Sequence, residues 1–151
     1  MPDSRISCTL ALTTMGKMSP ELVSSRIHEF WNILTGESKD KFEDLYSPDA
    51  IVFTGRAKRS EPARLALIRR MRQLANATSN ATAEIGSVDV QVVGSDVAIA
   101  TYTYKFQSSR TQTLFGRATQ VFQVDGDGTL RIVHEHLSSA APTKVEKAAG
   151  Q

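Results

Sequence analysis

From the N-terminal side, the first ordered pattern of apolar residues has helical spacing. Leu22, Val23, Ile27, Phe30, Trp31 and Leu34 recur three and four apart, which gathers them on one stripe of a helix. Ser19 stands at the N-cap position and Pro20 at the first helical position, where its missing N–H is no loss; Gly36 supplies the stop. A second, short helix is expected after Ser38, carrying Phe42, Leu45 and Tyr46, and Ser47-Pro48-Asp49 ends it. Ala50–Thr54 is apolar and β-branched and predicts a short strand. Ser60 and Pro62 open a third predicted helix with Leu67, Ile68, Met71 and Leu74 inward.

From Ala83 onwards the period changes to two. Strands are predicted over Ala83–Val93, Asp96–Gln107, Thr113–Gln123 and Leu130–Ser138. Gly94-Ser95 and Asp125-Gly126-Asp127-Gly128 are the tight turns between them. Helices first and an antiparallel meander second is the α+β arrangement, with amphipathic helices packed on a curved antiparallel sheet.

The 151 residues suit one domain, placed at residues 19–141, with 1–18 expected as a disordered leader and 142–151 as a flexible tail. An apolar fraction of 40% and a charged fraction of 23% are globular values, which excludes disorder of the whole chain. A net charge of +2 is too small to imply a nucleic-acid or membrane partner. The basic residues Arg56, Lys58, Arg59, Arg64, Arg69, Arg70 and Arg72 lack interleaved aromatics and read as a solvated face. The single cysteine, Cys8, forms no internal disulfide and fits a reducing compartment. No apolar run approaches the ~20 residues of a membrane span, and Asp3 sits where a signal peptide would be basic. A cytoplasmic location is expected.

Alternation sorts the polar strand residues into faces. His134 and His136 share one with Ile132, while Arg131, Val133, Glu135 and Leu137 share the other. Arg117, Thr119 and Val121 oppose Ala118, Gln120 and Phe122; Tyr102 and Tyr104 oppose Thr101, Thr103 and Lys105. Periodicity alone does not say which face is concave. Glu135 is the candidate general acid or base, because a carboxylate among apolar neighbours exchanges protons readily with carbon. Gln120 or Tyr46 then steadies a developing enolate oxygen. The competing reading pairs Glu135 with Arg117, Arg131 or Lys105 across the sheet. His134 and His136 suggest a metal, but no third ligand lies nearby in sequence, so neither metal nor cofactor is expected.

Arg117-Ala-Thr-Gln-Val-Phe followed by Arg131-Ile-Val-His-Glu-His-Leu-Ser138 resembles the end of SnoaL-like domains of the nuclear transport factor 2-like superfamily. Within it, the similarity is greatest to the branch containing the association (hub) domain of calcium/calmodulin-dependent protein kinase II. Phe42–Phe53 and Val90–Tyr104 are similar too, so the resemblance spans roughly Pro20 to Pro142. It implies a cystatin-like cone: three N-terminal helices close the mouth of a strongly curved antiparallel sheet and enclose a pocket. It also implies a homodimer or larger ring formed through the outer sheet face.

Set in the hub register, Thr103, Gln120 and Glu135 look inward, and Tyr46 and Trp31 join them as pocket candidates. Tyr102, Arg117, Thr119, His134 and His136 then take the outer, interface-forming side. The hub pocket's arginines are replaced by Thr103, Gln120 and Leu137 here. The family includes isomerases, cyclases, dehydratases, hydrolases and assembly modules. The expectation is a homo-oligomeric pocket protein for a small, mainly apolar molecule. It is either a cofactor-free isomerase, cyclase or dehydratase, or a non-catalytic association module or ligand-binding domain.

Overall fold

The computed structural model describes residues 18–36, 42–54, 59–66, 69, 81–107 and 113–140. Helix α1 (Pro20–Thr35) starts and stops where its signals stand. The Ser19 side chain accepts from the Leu22 N–H at 3.2 Å, and Gly36 closes the helix in the left-handed conformation, φ 82°. Val23, Ile27, Phe30, Trp31, Ile33 and Leu34 are its buried stripe. Met18, assigned to the leader by sequence, is itself buried in this core.

A 3-10 turn (Phe42–Leu45) leads directly into β1 (Tyr46–Thr54), so the expected second helix is a single turn and Tyr46 is a strand residue. Strand β2 (Glu61–Pro62) pairs with β1, and residues 63–66 are helical. Among the described residues α1 and the 3-10 turn are the two helical elements with defined bounds, and 63–66 is a short helical stretch where the third helix was expected. Leu67, Ile68, Met71 and Leu74, the inward side of the expected third helix, lie outside the described residues, as does the expected tail. The leader does too, apart from Met18.

The sheet continues with β3 (Thr82–Ile85), β4 (Asp89–Val93), β5 (Val97–Gln107), β6 (Leu114–Val124) and β7 (Leu130–Ala140). Its order is β2-β1-β7-β6-β5-β3, with β4 beside β3 on the same edge of β5. The predicted strand Ala83–Val93 is therefore two strands. At Gly86 the edge passes so close to Thr103 that a Cβ would meet the Thr103 hydroxyl, and the Gly86 N–H donates to the Thr103 carbonyl at 2.9 Å.

A second departure decides the centre of the molecule. β1 and β7 run parallel, so the sheet is mixed rather than antiparallel. Nothing in the pattern of β1 names its partner, and the long chain between it and β7 permits either direction. The last strand of the chain consequently lies inside the sheet, between β1 and β6, and its inward side chains are covered from both sides. Phe30, Phe122, Ile27, Ile132, Val23 and Val52 are the largest fully buried apolar side chains. Ala98, Ala100 and Ala118 are buried beside them, small residues that leave room for the rings of α1. Among the described residues no helix is long and apolar enough to cross a membrane.

Candidate functional site

Strand β7 does not alternate as its sequence suggests. Val121 of β6 faces His134, yet the next residue, Phe122, faces Ile132, which leaves Val133 as an extra residue in a β-bulge. The bulge returns Ile132 to the same face as Glu135 and Leu137, all three buried, and leaves His134 and His136 exposed on the other. Strict alternation had grouped Ile132 with the histidines. One inserted residue accounts for the difference.

The register also places Gln120 directly across from Glu135. The Gln120 Nε2 donates to Glu135 Oε2 at 2.8 Å, and the Tyr46 hydroxyl donates to the same oxygen at 2.7 Å. Behind Gln120, the Tyr102 hydroxyl donates to its Oε1 at 2.8 Å and accepts from the Trp31 indole N–H at 3.0 Å. Glu135 and Gln120 have no exposed surface, and the three aromatic residues are at most 5% exposed.

The bonds run one way. An indole N–H can only donate, so it fixes the Tyr102 oxygen as acceptor, turns the Tyr102 proton towards Gln120 and aims the amide N–H at Glu135. Aligned bonds in a low-dielectric interior polarise one another, and here the polarity ends on a carboxylate oxygen. Among the described residues no buried side-chain nitrogen or oxygen lacks a partner. Rings wall the chain: Trp31 packs on Tyr104 at 4.7 Å between centroids and edge-on to Phe30 at 5.3 Å, and Phe30 reaches Tyr46 at 6.5 Å.

Trp31, Tyr46, Gln120 and Glu135 thus meet, across α1, β1, β6 and β7. Thr103 does not join them; it is exposed on the outer face. Tyr102, assigned to that outer face, is the middle link. Alternation sorts β5 and β6 correctly, but the register between these two strands differs from the expected one by one residue: Ala100 faces Gln120 and Tyr102 faces Ala118. A signal for this existed in the sequence. Ala98, Ala100, Tyr102 and Tyr104 form a more apolar set than Thr101, Thr103 and Lys105. Arg117 is exposed and Thr119 half-buried, both on the outer face, where the His136 ring lies edge-on to Phe53 at 5.4 Å.

The cations considered as partners of Glu135 have other engagements or directions. Arg131 pairs with Asp125 and Asp127 of the β6–β7 turn, and Lys105 reaches Glu84 at 4.0 Å. Hydrogen bonding with Asp125, then with Thr129, holds the Asp127 carboxyl well below the usual range, while the bond to Asp125 raises the Arg131 guanidinium. Arg131 also donates to the Asp44 carbonyl at 3.0 Å, and Arg26 of α1 donates to the Leu130 carbonyl at 2.9 Å. Asp44 precedes Tyr46 by two residues, so these two arginines seat the chain that delivers the Tyr46 hydroxyl. The sequence marks Arg131 only as a partner for Glu135 and does not mark Arg26; a side chain reaching a backbone carbonyl leaves no pattern. Among the described residues no group of three or more His, Cys, Asp or Glu can hold a metal ion.

A family model described as SnoaL-like domain matches residues 23–142. No curated protein matches the chain. Among solved structures, a protein of Streptomyces avermitilis, provisionally described as a dehydratase of the nuclear transport factor 2-like family, is 18% identical. The match covers 81% of this chain and 96% of that one, with a TM-score of 0.68. A provisional ketosteroid isomerase from Parabacteroides distasonis is 19% identical over 85% of this chain and 98% of its own, TM-score 0.62. A provisional calcium/calmodulin-dependent protein kinase II association domain from Xanthomonas campestris is also 19% identical, over 80% of this chain and 87% of its own, TM-score 0.64. Identities this low carry the fold and leave the chemistry to the residues themselves.

Proposed function

Because the chain belongs to the SnoaL-like domain family, we propose that it is a homo-oligomeric pocket protein whose Glu135 moves protons on a small, mainly apolar carbonyl compound. The observation that carries this reading is the fully buried carboxylate at the receiving end of a one-way hydrogen-bond chain. Withdrawing a carboxylate from water is costly, and replacing such groups by apolar ones is often neutral or stabilising. A polar network kept inside an aromatic core therefore suits chemistry better than it suits stability.

The reaction that fits is isomerisation of a β,γ-unsaturated ketone. Glu135 takes the α proton, the electron pair moves onto the carbonyl oxygen as a dienolate, and the same carboxyl returns the proton to the γ carbon. Nothing is oxidised and no cofactor is consumed. Tyr46, now bonded to Oε2, is the hydroxyl able to turn to the enolate oxygen. Admission of the substrate requires the aromatic packing between α1 and the sheet to part.

The test is conversion of a β,γ-unsaturated ketone to its conjugated isomer, followed by ultraviolet absorbance. Wild-type protein accelerates the conversion, and Glu135→Gln lowers the rate by about a hundredfold or more at an unchanged melting temperature. No acceleration by wild-type protein, or equal rates in the two, overturns the reading.

The exposed outer sheet face favours a second reading, that of an association module. Pairing aligns Ile99, Val121, His134 and Ile51 in one row across it, and Ile51 is 47% exposed. Light scattering at micromolar concentration is then expected to give at least a dimer mass, and a monomer mass would sink this reading.

A further inference from the structure

Where β5 finishes and β6 begins, the sheet carries a groove of about 650 Å³. Its walls follow from the pairing register. Thr103 faces Arg117, which faces Ser138, and Lys105 lies between Glu84 and Phe115. Arg117 and Lys105 are thus diagonal neighbours on one face, an arrangement that like charges disfavour unless an anion lies near.

The protein supplies little of that anion. Lys105 is 4.0 Å from Glu84, whose side chain is 77% exposed, a pair of small energetic weight. Among the described residues no carboxylate pairs with Arg117. Phe115 stands 55% exposed on the same wall, a large apolar ring without cover. Gly86 borders Thr103 without a side chain; a Cβ there would meet the Thr103 hydroxyl. A cavity with two cations, one weakly held counter-charge, uncovered hydroxyls and an open aromatic surface is built for an anionic head on an apolar body.

We propose that this groove binds a small organic acid, a carboxylate or a phosphate monoester with an aromatic body. Arg117 and Lys105 hold the anion, with the Thr103 and Ser138 hydroxyls beside it, and Phe115 packs on the ring. Arg117 lies between the buried Gly116 and Ala118, and Lys105 shares its face through Thr103, so the acid's head sits on the sheet face turned away from Glu135. The proposal stands whether or not Glu135 is catalytic.

Titration calorimetry on the full chain tests it with phenyl phosphate, benzoate and the neutral benzyl alcohol. At least one acid saturates and the alcohol does not; saturation by one acid alone narrows the ligand to that head group. Arg117→Ala weakens the bound acid by about tenfold or more. Phe115→Ala weakens phenyl phosphate and leaves inorganic phosphate unchanged. Glu135→Gln binds as wild type does. Arg117 and Phe115 are exposed and permit substitution without unfolding, and an unchanged melting temperature checks all three variants. Absence of saturation by both acids at millimolar concentration, or equal affinity in wild type and Arg117→Ala, overturns the proposal.

Discussion

At Glu135 two donors share one carboxylate oxygen, and each sits on a different strand, so the two bonds respond differently to truncation. Tyr46→Phe removes one donor and leaves Gln120 in place; about 1 kcal/mol of stability is expected to go. Gln120→Leu severs the chain in the middle. It removes the Gln120 acceptor of the Tyr102 hydroxyl on one side and withdraws a donor from a buried carboxylate on the other, and about 2–3 kcal/mol is expected to go. Urea denaturation of both variants checks the order, and equal losses would show that Gln120 is not the connecting group.

Between residues and the whole lie the strands, and two local devices shape them. Gly116 is buried beneath the Tyr104 ring, whose hydroxyl reaches the Ser138 carbonyl at 3.3 Å, and any Cβ at 116 would overlap that ring and that carbonyl. Gly116→Ala is therefore expected to cost about 1–3 kcal/mol through overpacking, measurable as a lower urea midpoint at an unchanged slope. The β6–β7 turn adds a pH dependence. Asp127 has a folded pKa below its ordinary value of 3.8. A depressed carboxyl contributes stability above the ordinary value and loses it as pH falls towards the depressed one. The stability gap between wild type and Asp127→Asn should thus be present at neutral pH and shrink below pH 3.8, as acid titration of the melting temperature would show. A gap constant with pH would contradict this.

On the scale of the whole molecule, one sheet serves two faces. The inner face holds α1 and the buried chain ending on Glu135; the outer face carries Ile51, Phe115, Arg117, His134 and His136 exposed. If copies associate through that outer face, Ile51→Asp lowers the light-scattering mass at micromolar concentration, because it sets a charge against an apolar contact. Glu135→Gln, on the inner face, leaves the mass unchanged. A mass indifferent to Ile51→Asp would move the contact elsewhere.

What the sequence determined by itself was what local physics writes into a short stretch. The caps Ser19 and Gly36 bound α1 correctly because capping involves a few consecutive residues. Alternation sorted Gln120 from Arg117, and Tyr102 from Thr103, because side-chain direction follows from strand geometry. The resemblance carried by Arg117–Phe122 and Arg131–Ser138 grouped Trp31, Tyr46, Thr103, Gln120 and Glu135 in expectation; hydrogen bonds join four of them with Tyr102, and Thr103 lies on the outer face. Relations between distant segments were decided only by the tertiary structure. The parallel pairing of β1 with β7, the bulge at Val133 and the register that sends Tyr102 inward in place of Thr103 each depend on which chain lies alongside. A strand's own pattern is satisfied equally well by neighbours one residue apart, and only the packed core rejects the wrong one.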